Sequence, residues 1–520
     1  VSTKGTATAL LSVTDKTGLA ELAAAFTAQG IELLASSGTR AFLEGEGIAA
    51  REISEYTESP EILGGRVKTL HPKIHGGILA DRDNPEHMQT LEESGTAPVD
   101  FVVVNLYPFE QKFREGGMTP EGMVEFIDIG GITLLRAAAK NHKDVTIVTD
   151  PSQYGEVIDE LKKNGKTSPE LRRRLAAKTF GLTSTYDAAI SRFMDTLAPP
   201  DGFPQRMAIG MEKVTDVRYG ENPHQRGALY RTIGDSPLTA MEQLQGKELS
   251  FNNYLDIVGA FTLARDLGQG SVAIIKHTNP CGAAWCGEVL ASFRRALVTD
   301  KTSAFGGIVA VNGTVGDELA GELTQMFLEV VIARDVDADA RERFARKKNL
   351  RLITMPERHW TPRAGGALGV YVQDAVLYQD EDAGFPELDD LNLVTSKHPS
   401  DGEMVGLKMA WKVAKHVKSN AIVICDNEGT VGIGAGQMSR VDSSQIATRK
   451  AFDAGLSVSG AVAASDAFFP FADGVKELAK AGIVSVIQPG GSIRDQEVID
   501  AANEATISMV FTGRRHFRHI

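Results

Sequence analysis

The chain has 520 residues, more than one hydrophobic core usually supports, so length alone implies two or three domains. Hydrophobic residues at 42% and charged residues at 24% are ordinary for a globular protein in water, and no apolar run approaches the roughly 18 residues of a membrane span. The net charge of −13 excludes the broad basic face that nucleic-acid binding would need, so an anionic ligand has to be met by a local cluster of cations.

Three cysteines (Cys281, Cys286 and Cys425) cannot build a disulfide framework, and an odd count suits a reducing cytosol. The early run "TALLSV" is short and passes straight into Asp15 and Lys16, unlike a signal peptide. A cytoplasmic protein is expected. The 52 glycines point to many tight turns and backbone-lined sites.

In chain order, "ATALLSV" and "IELLA" predict short buried strands around a helical "KTGLAELAAAFTAQG". "VDFVVVNLYPF" predicts a further buried strand, "PEGMVEFI" and "TLLRAAAKNH" predict helices interrupted by "DIGG", and "VTIVTD" is strand-like again. Such alternation implies a parallel sheet with ligand sites at the carboxyl ends of its strands. The Pro- and Gly-rich "LAPPDGFPQRM" is the linker candidate, placing a first domain at 1–197, a linker at 198–208 and a second region at 209–520. Beyond it "SVAIIKH", "GGIVAVNG", "LRLITM", "NAIVICD", "TVGIGAG" and "IVSVIQ" resume the α/β pattern, with a weaker seam near 384–400. "SVAIIKHTNPCG" and "SNAIVICDNEGTVGIGAG" each set a buried strand before a polar turn, which fits either two related units or common α/β punctuation.

Four constellations carry chemistry. In "LGGRVKTLHPKIHGG", Arg66, Lys68, Thr69, His71 and Lys73 crowd together in an acidic protein. That is either a solvated basic loop or an anion site, and the flanking glycine pairs favour the site. "LSVTDKTG" and "LLASSGTR" each deliver hydroxyls from a strand end to a helix start, the arrangement that binds phosphate. "DVRYGENPHQRGALY" gathers donors on a loop fixed by Asn-Pro, though an arm packed on its domain would read the same way. "IGAGQMSRVDSS" lacks G-x-G-x-x-G spacing and reads as a tight Gly-rich turn. In "IKHTNPCG" a lysine and a histidine stand where a buried strand ends, and Asn-Pro is expected to turn the chain there.

No zinc site is expected. The deaminase pattern needs His-x-Glu with Pro-Cys-x-x-Cys, whereas Cys281 and Cys286 give C-x4-C and no His-x-Glu occurs. His71 and His75 are separated by Pro72, which disfavours one helix presenting both. "ASDAFFPFADG" and the terminal "GRRHFRHI" read equally as core and a frayed tail.

"LLSVTDKTGL", "GGRVKTLHPKIHGGILA", "NLYPF", "IDIGGITLLRAAAKN", "RYGENPHQ", "SFNNYLD", "IKHTNPCG", "SAFGG", "GIGAGQMSR" and "SDAFFPF" follow one another as in a single family. From about Ala7 to His519 the chain resembles the bifunctional AICAR transformylase/IMP cyclohydrolase family of purine biosynthesis. The resemblance implies an α/β protein with an amino-terminal methylglyoxal-synthase-like cyclohydrolase domain. It also implies a carboxyl-terminal transformylase of two cytidine-deaminase-like units without zinc, and a homodimer with transformylase sites across the interface. The substrates implied are AICAR, formyl-AICAR and 10-formyltetrahydrofolate as co-substrate. No tightly bound cofactor, nucleic acid or membrane is implied, and a bound monovalent cation is left open.

By the same matching, Lys276 and His277 are the expected proton-transfer pair of formyl transfer. Arg218, Tyr219, Asn420, Phe468, Arg515 and Phe517 would hold AICAR with His224 nearby, and Phe305, Gly306, Ser439, Arg440 and Val441 would lie around the folate. Lys68, Tyr107, Asp128 and Lys140 match the cyclohydrolase catalytic set, with Asn105 close by. Ser12, Lys16, Ser36, Gly38, Thr39, Arg66 and Thr69 match its phosphate set. Three positions depart from the family pattern: Ser37 where Gly is common in the phosphate loop, Thr302 for a larger apolar residue, and Arg334 where Ala-Pro often stands. Two other classes remain open, a zinc nucleoside deaminase and a non-catalytic nucleotide-sensing module.

Overall fold

Five short apolar segments make the first sheet: β1 (Thr8–Ser12), β2 (Glu32–Ala35), β3 (Arg51–Glu52), β4 (Phe101–Val104) and β5 (Thr146–Val148). The strands come from a computed structural model that describes residues 7–362 and 365–519. They lie parallel in the order β3-β2-β1-β4-β5. Leu10, Leu11, Val102 and Val103 are buried, so the central strands read as continuous apolar runs rather than alternating ones. Leu19, Leu22 and Phe26 of one helix, Leu134 and Leu135 of a second, and Leu171 and Leu175 of a third close the core around them. From β1 the chain winds outward to β3 on one side, while β4 and β5 lie on the other. β1 and β4 therefore flank a topological switch point, where an open α/β sheet leaves a crevice at its carboxyl end.

Pro72 does not prevent a helix here. It occupies the first turn of Pro72–Leu79, where a missing N–H costs nothing, and His71 caps that helix by accepting the Lys73 N–H at 3.2 Å. His75 lies on the helix and His71 precedes it.

The chain divides into two compact units, one running up to Glu212 and including Tyr230–Gly234, the other made of Lys213–Leu229 and the chain from Asp235. β6 (Met211–Val217) and β7 (Gly227–Thr232) form a two-stranded ribbon.

The second unit holds two six-stranded mixed sheets. The first contains β8 (Glu242–Gln245), β9 (Ser271–Lys276), β10 (Asn279–Trp285), β11 (Ile308–Val315), β12 (Val330–Val336) and β13 (Arg351–Thr354), in the order β10-β9-β11-β12-β13-β8. A hairpin of β14 (Ala367–Val372) and β15 (Ala375–Asp380) follows. The second sheet contains β16 (Asn392–Leu393), β17 (Ile422–Cys425), β18 (Thr430–Gly434), β19 (Val462–Ser465), β20 (Ser485–Gln488) and β21 (Ser508–Phe511), in the order β18-β17-β19-β20-β21-β16. In each sheet an antiparallel hairpin precedes three parallel strands, and an antiparallel edge strand closes the other side. One topology is thus used twice. Helices Phe251–Leu267 and Asp401–Ala414 precede the two hairpins and share one core, with Phe261, Ile275, Leu407, Trp411 and Val423 all buried in it.

The Gly-rich "GIGAG" is mostly strand, not turn. A β-carbon on Gly432 would stand 2.2 Å from the Ala447 carbonyl oxygen, and one on Gly434 would stand 2.0 Å from that of Ser443. These glycines let helix Arg440–Asp453 lie directly on β18; only Gly436 in the run has positive φ. Among the described residues no helix is long and apolar enough to cross a membrane.

Candidate active sites

The crevice beside β1 and β4 is a cavity of about 650 Å³. Its wall includes Ser12, Lys16, Ser36, Gly38, Thr39, Arg66, Lys68, Thr69, Asn105, Tyr107 and Asp128, all expected from the sequence. Lys140 is placed elsewhere: it lies at the far end of helix Gly130–Lys140 and lines a second groove with His75, Arg136 and Phe180.

Local chemistry explains how the cavity side chains are held. Thr39, on helix Ser37–Gly45, receives the Val13 N–H at 3.2 Å, and its hydroxyl lies 3.2 Å from that of Ser36. Lys16 reaches back to the Val13 carbonyl and to Thr39 Oγ1, the latter at 3.1 Å, and burial lowers its pKa. Asn105 Oδ1 accepts N–H groups from Thr14 and Asp15, so the turn after β4 clamps the turn after β1. Two cations have acid partners at the wall: Arg66 pairs with Glu125, and Lys68 Nζ stands 3.0 Å from Glu61 Oε2. Ser37 Oγ lies 2.8 Å from both Glu52 Oε1 and Glu61 Oε1, and its single proton serves one at a time. Ser37 thereby steadies the acid that faces Lys68.

Asp128 is an acid of this wall and is half-buried. Burial raises its pKa, against the opposing effect of backbone N–H groups from Gly131 and Tyr107. The Tyr186 hydroxyl accepts the Asp128 N–H at 2.8 Å and donates to Phe126 O at 2.9 Å, which fixes the loop. The interruption "DIGG" has a steric cause. A β-carbon on Gly131 would stand 2.5 Å from Asp128 Oδ2, and one on Gly130 would stand 2.8 Å from Thr69 Oγ1. Gly65 (φ +89) similarly leaves room for Lys68, whose Cε would lie 2.6 Å from an added β-carbon.

In the second unit, Lys276 ends β9 and His277 begins the hairpin. The turn is His277–Thr278, not Asn279–Pro280: both turn residues have positive φ (54° and 61°), and Asn279 already belongs to β10. A two-residue hairpin of this hand needs φ > 0 at both positions. That conformation is strained for a β-branched residue such as Thr278. Asp256 offsets the strain by accepting the N–H groups of Thr278 at 2.6 Å and His277 at 3.3 Å. Burial raises the Asp256 pKa while these two bonds oppose the rise.

The hairpin ties together groups far apart in sequence. Lys276 Nζ donates to Phe305 O at 2.8 Å, just before Gly306, and the Phe305 ring packs 5.3 Å from that of Phe327. Asn279 Oδ1 accepts the Lys418 N–H at 3.0 Å, next to the Ser419–Asn420 segment. Asn420 O accepts from Ser443, three residues beyond Arg440. Arg440 donates to Asp466 Oδ1 and Ser465 Oγ, both at 3.0 Å, and burial lowers its pKa despite the Asp466 charge. Ser439 caps the same helix, Val441 follows in its first turn, and Phe468 lies two residues past Asp466. The tail comes back here: Arg515 stacks on the Phe517 ring at 4.5 Å and Arg440 lies 5.9 Å from it. Ser419 donates its N–H to Arg518 O at 2.9 Å, so the tail is a docked strap as far as Arg518. Arg218, Tyr219 and His224 sit on a loop whose hydrogen bonds run within itself and to Leu249, Phe251 and Asn252, at the start of the helix that carries Asp256.

Of the departures from pattern, Arg334 donates to Asn312 Oδ1 at 2.6 Å, pairs with Glu357 and lies over Trp360. Nothing in the structure explains Thr302. Among the described residues, no three His, Cys, Asp or Glu side chains are grouped to hold a metal ion. Cys281 and Cys425 are buried, and burial pushes the Cys281 thiol up to about 12.

An all-parallel sheet with hydroxyls and cations around its switch point, followed by a twice-used mixed sheet, describes a protein of the α/β enzyme class. Residues 18–133 match the MGS-like domain, and residues 138–450 match the AICARFT/IMPCHase bienzyme family. The bifunctional purine biosynthesis proteins PurH of Persephonella marina, Magnetococcus marinus and Roseobacter denitrificans are 49%, 48% and 49% identical to this chain. Each comparison covers 98% of this chain and at least 98% of the relative. The chain belongs to the AICARFT/IMPCHase bienzyme family, and its amino-terminal domain is MGS-like.

Proposed function

We propose that the two activities of this bifunctional enzyme of purine biosynthesis are divided between the two units. The cavity at the β1/β4 switch point is the cyclohydrolase centre, and the Lys276–His277 hairpin is the transformylase centre. The domain division 1–197, 198–208 and 209–520 belongs to this reading, as does a cytidine-deaminase-like identity for the two repeated sheets. The observation that carries it is the convergence of phosphate-type donors and one half-buried acid in a single cavity of the first unit.

In the cyclohydrolase, the carboxamide nitrogen of formyl-AICAR attacks the formyl carbon and water leaves. Ser12, Lys16, Ser36, Gly38, Thr39, Arg66 and Thr69 would hold the phosphate, with Arg66 leaving Glu125 to do so. Asp128, its pKa raised by burial, is suited to take the amide proton and return one to the departing hydroxyl. Lys68 and Tyr107 would steady the oxyanion, with Asn105 shaping the wall. Lys140 lies outside this cavity and has no step here.

In the transformylase, the AICAR amine attacks the formyl carbon of 10-formyltetrahydrofolate. His277 takes the amine proton, the bond from the formyl carbon to the folate nitrogen breaks, and that departing nitrogen is protonated. Lys276, tethered at Phe305, stabilises the oxyanion and orients the folate side. Arg218, Tyr219, Asn420, Phe468, Arg515 and Phe517 would bind AICAR, with His224 beside them; Phe305, Gly306, Ser439, Arg440 and Val441 would border the folate. A homodimer would complete this site. Incubation of the purified chain with AICAR and 10-formyltetrahydrofolate tests the reading: IMP should accumulate without added metal, and no IMP from either AICAR or formyl-AICAR would refute it.

A further inference from the structure

The docked tail places a buried histidine in a charge cluster that none of the steps above uses. His516 is 1% exposed, with Nδ1 2.5 Å from Asp382 Oδ2 and Nε2 2.7 Å from Glu387 Oε1. Trp411 Nε1 donates to the same Glu387 oxygen at 2.8 Å. Arg514 stands 3.1 Å from Asp382 Oδ1 and 3.9 Å from Glu387 Oε2. The Trp411 and Phe385 rings pack 5.1 Å and 5.6 Å from the imidazole, and Lys415 and Lys412 lie over the Phe385 ring. The His516 N–H donates to Asp466 O at 3.0 Å.

A neutral imidazole has one N–H and one lone pair. Here both ring nitrogens face carboxylate oxygens at hydrogen-bond distance, and a lone pair on either side would repel its neighbour. The geometry calls for an imidazolium. Two cations, His516 and Arg514, then balance two carboxylates, Asp382 and Glu387. The tail is extended, so neighbours alternate: Arg515 and Phe517 are exposed, and His516 between them is buried.

We propose that His516, held as an imidazolium between Asp382 and Glu387, is a positioning residue for AICAR that fixes the tail so that Arg515 and Phe517 present their side chains to it. This rests on the reading that the tail binds AICAR. Burial alone would lower the imidazole pKa, but the hydrogen bonds to Asp382 and Glu387 outweigh it and raise the value. Burial would raise the two acids, and the same bonds hold them below their ordinary values. The clamp is therefore complete below the raised His516 pKa and is lost as pH rises through it. AICAR affinity should weaken on the alkaline side.

The test is AICAR binding by calorimetry to the full chain, at about pH 6 and about pH 9, which bracket the ordinary histidine value. The parent should lose roughly tenfold in affinity between them, the scale of a charged hydrogen bond. His516→Gln should start roughly tenfold weaker at the lower pH and change little further, while cyclisation of added formyl-AICAR stays at the parent rate. Parent-like affinity and pH slope in His516→Gln, with Arg515→Ala weakened, overturns the positioning role. Parent-like binding by Arg515→Ala instead overturns the reading of the tail. If His516→Gln does not fold, Asp382→Asn keeps the imidazole but removes one anchor. It should move the alkaline loss of affinity to lower pH, and an unmoved midpoint contradicts the proposal.

Discussion

Asp128 accepts the backbone N–H of Gly131 at 2.6 Å, and Gly131 is a position where any β-carbon would stand 2.5 Å from the other oxygen of the same carboxylate. The acid and the glycine define each other. A side chain at 131 would push out the carboxylate proposed to move the proton.

Gly131→Ala should therefore act as a catalytic mutation without touching a titratable group. Displacing a reacting group by about 1 Å costs roughly 10²-fold. Cyclisation of formyl-AICAR is expected to fall on that scale, with formyl transfer unchanged. Equal loss in both assays would show a folding defect instead.

Asp128→Asn separates charge from shape. Because the folded carboxyl titrates above its ordinary value, its ionised form costs stability once pH exceeds the unfolded value of about 3.9. The substitution should raise the melting temperature at neutral pH and have little effect near pH 4, while cyclisation falls by roughly 10²-fold or more and the residual rate loses the acidic limb of its pH profile. A lower melting temperature at neutral pH would show that the carboxylate is a structural anchor.

In the second unit, Asp256 holds the strained pair His277–Thr278 by their N–H groups. Asp256→Ala leaves those donors without their acceptor and frees the hairpin. Formyl transfer should drop roughly tenfold or more, the scale of a lost hydrogen bond to a charged group, with the loss mainly in kcat. Thr278→Gly, which removes the strain at positive φ, should recover part of it in the double variant. No recovery would mean that Asp256 does something other than hold the turn.

Much of this was legible in the sequence because buried parallel strands are continuous apolar runs. "ATALLSV", "IELLA" and "VDFVVVN" contain β1, β2 and β4. The grouping of Ser12, Lys16 and Thr39 with Arg66 was expected from hydroxyls at strand ends and a basic loop, whereas Asp128 was expected only from the family resemblance. Less legible was anything that depends on close approach. Gly130 and Gly131 read as a helix break, but they make room for Thr69 and Asp128. Gly434 read as part of a turn, yet it is the last residue of a strand under a helix. The turn at His277–Thr278 was hidden because a β-branched residue such as Thr278 rarely adopts positive φ; its support, Asp256, lies on a helix, 21 residues before His277. The carboxylate partners of His516 are more than 120 residues away, and no local pattern marks them.

The division of two chemistries between two units is tested most directly by His277→Ala, assayed separately with AICAR plus 10-formyltetrahydrofolate and with formyl-AICAR alone. Removing a positioned general base should lower formyl transfer by roughly 10²-fold or more. AICAR binding should be little changed, and conversion of formyl-AICAR to IMP should run at the parent rate. Formyl transfer at the parent rate, or parallel loss of both activities, would contradict the account.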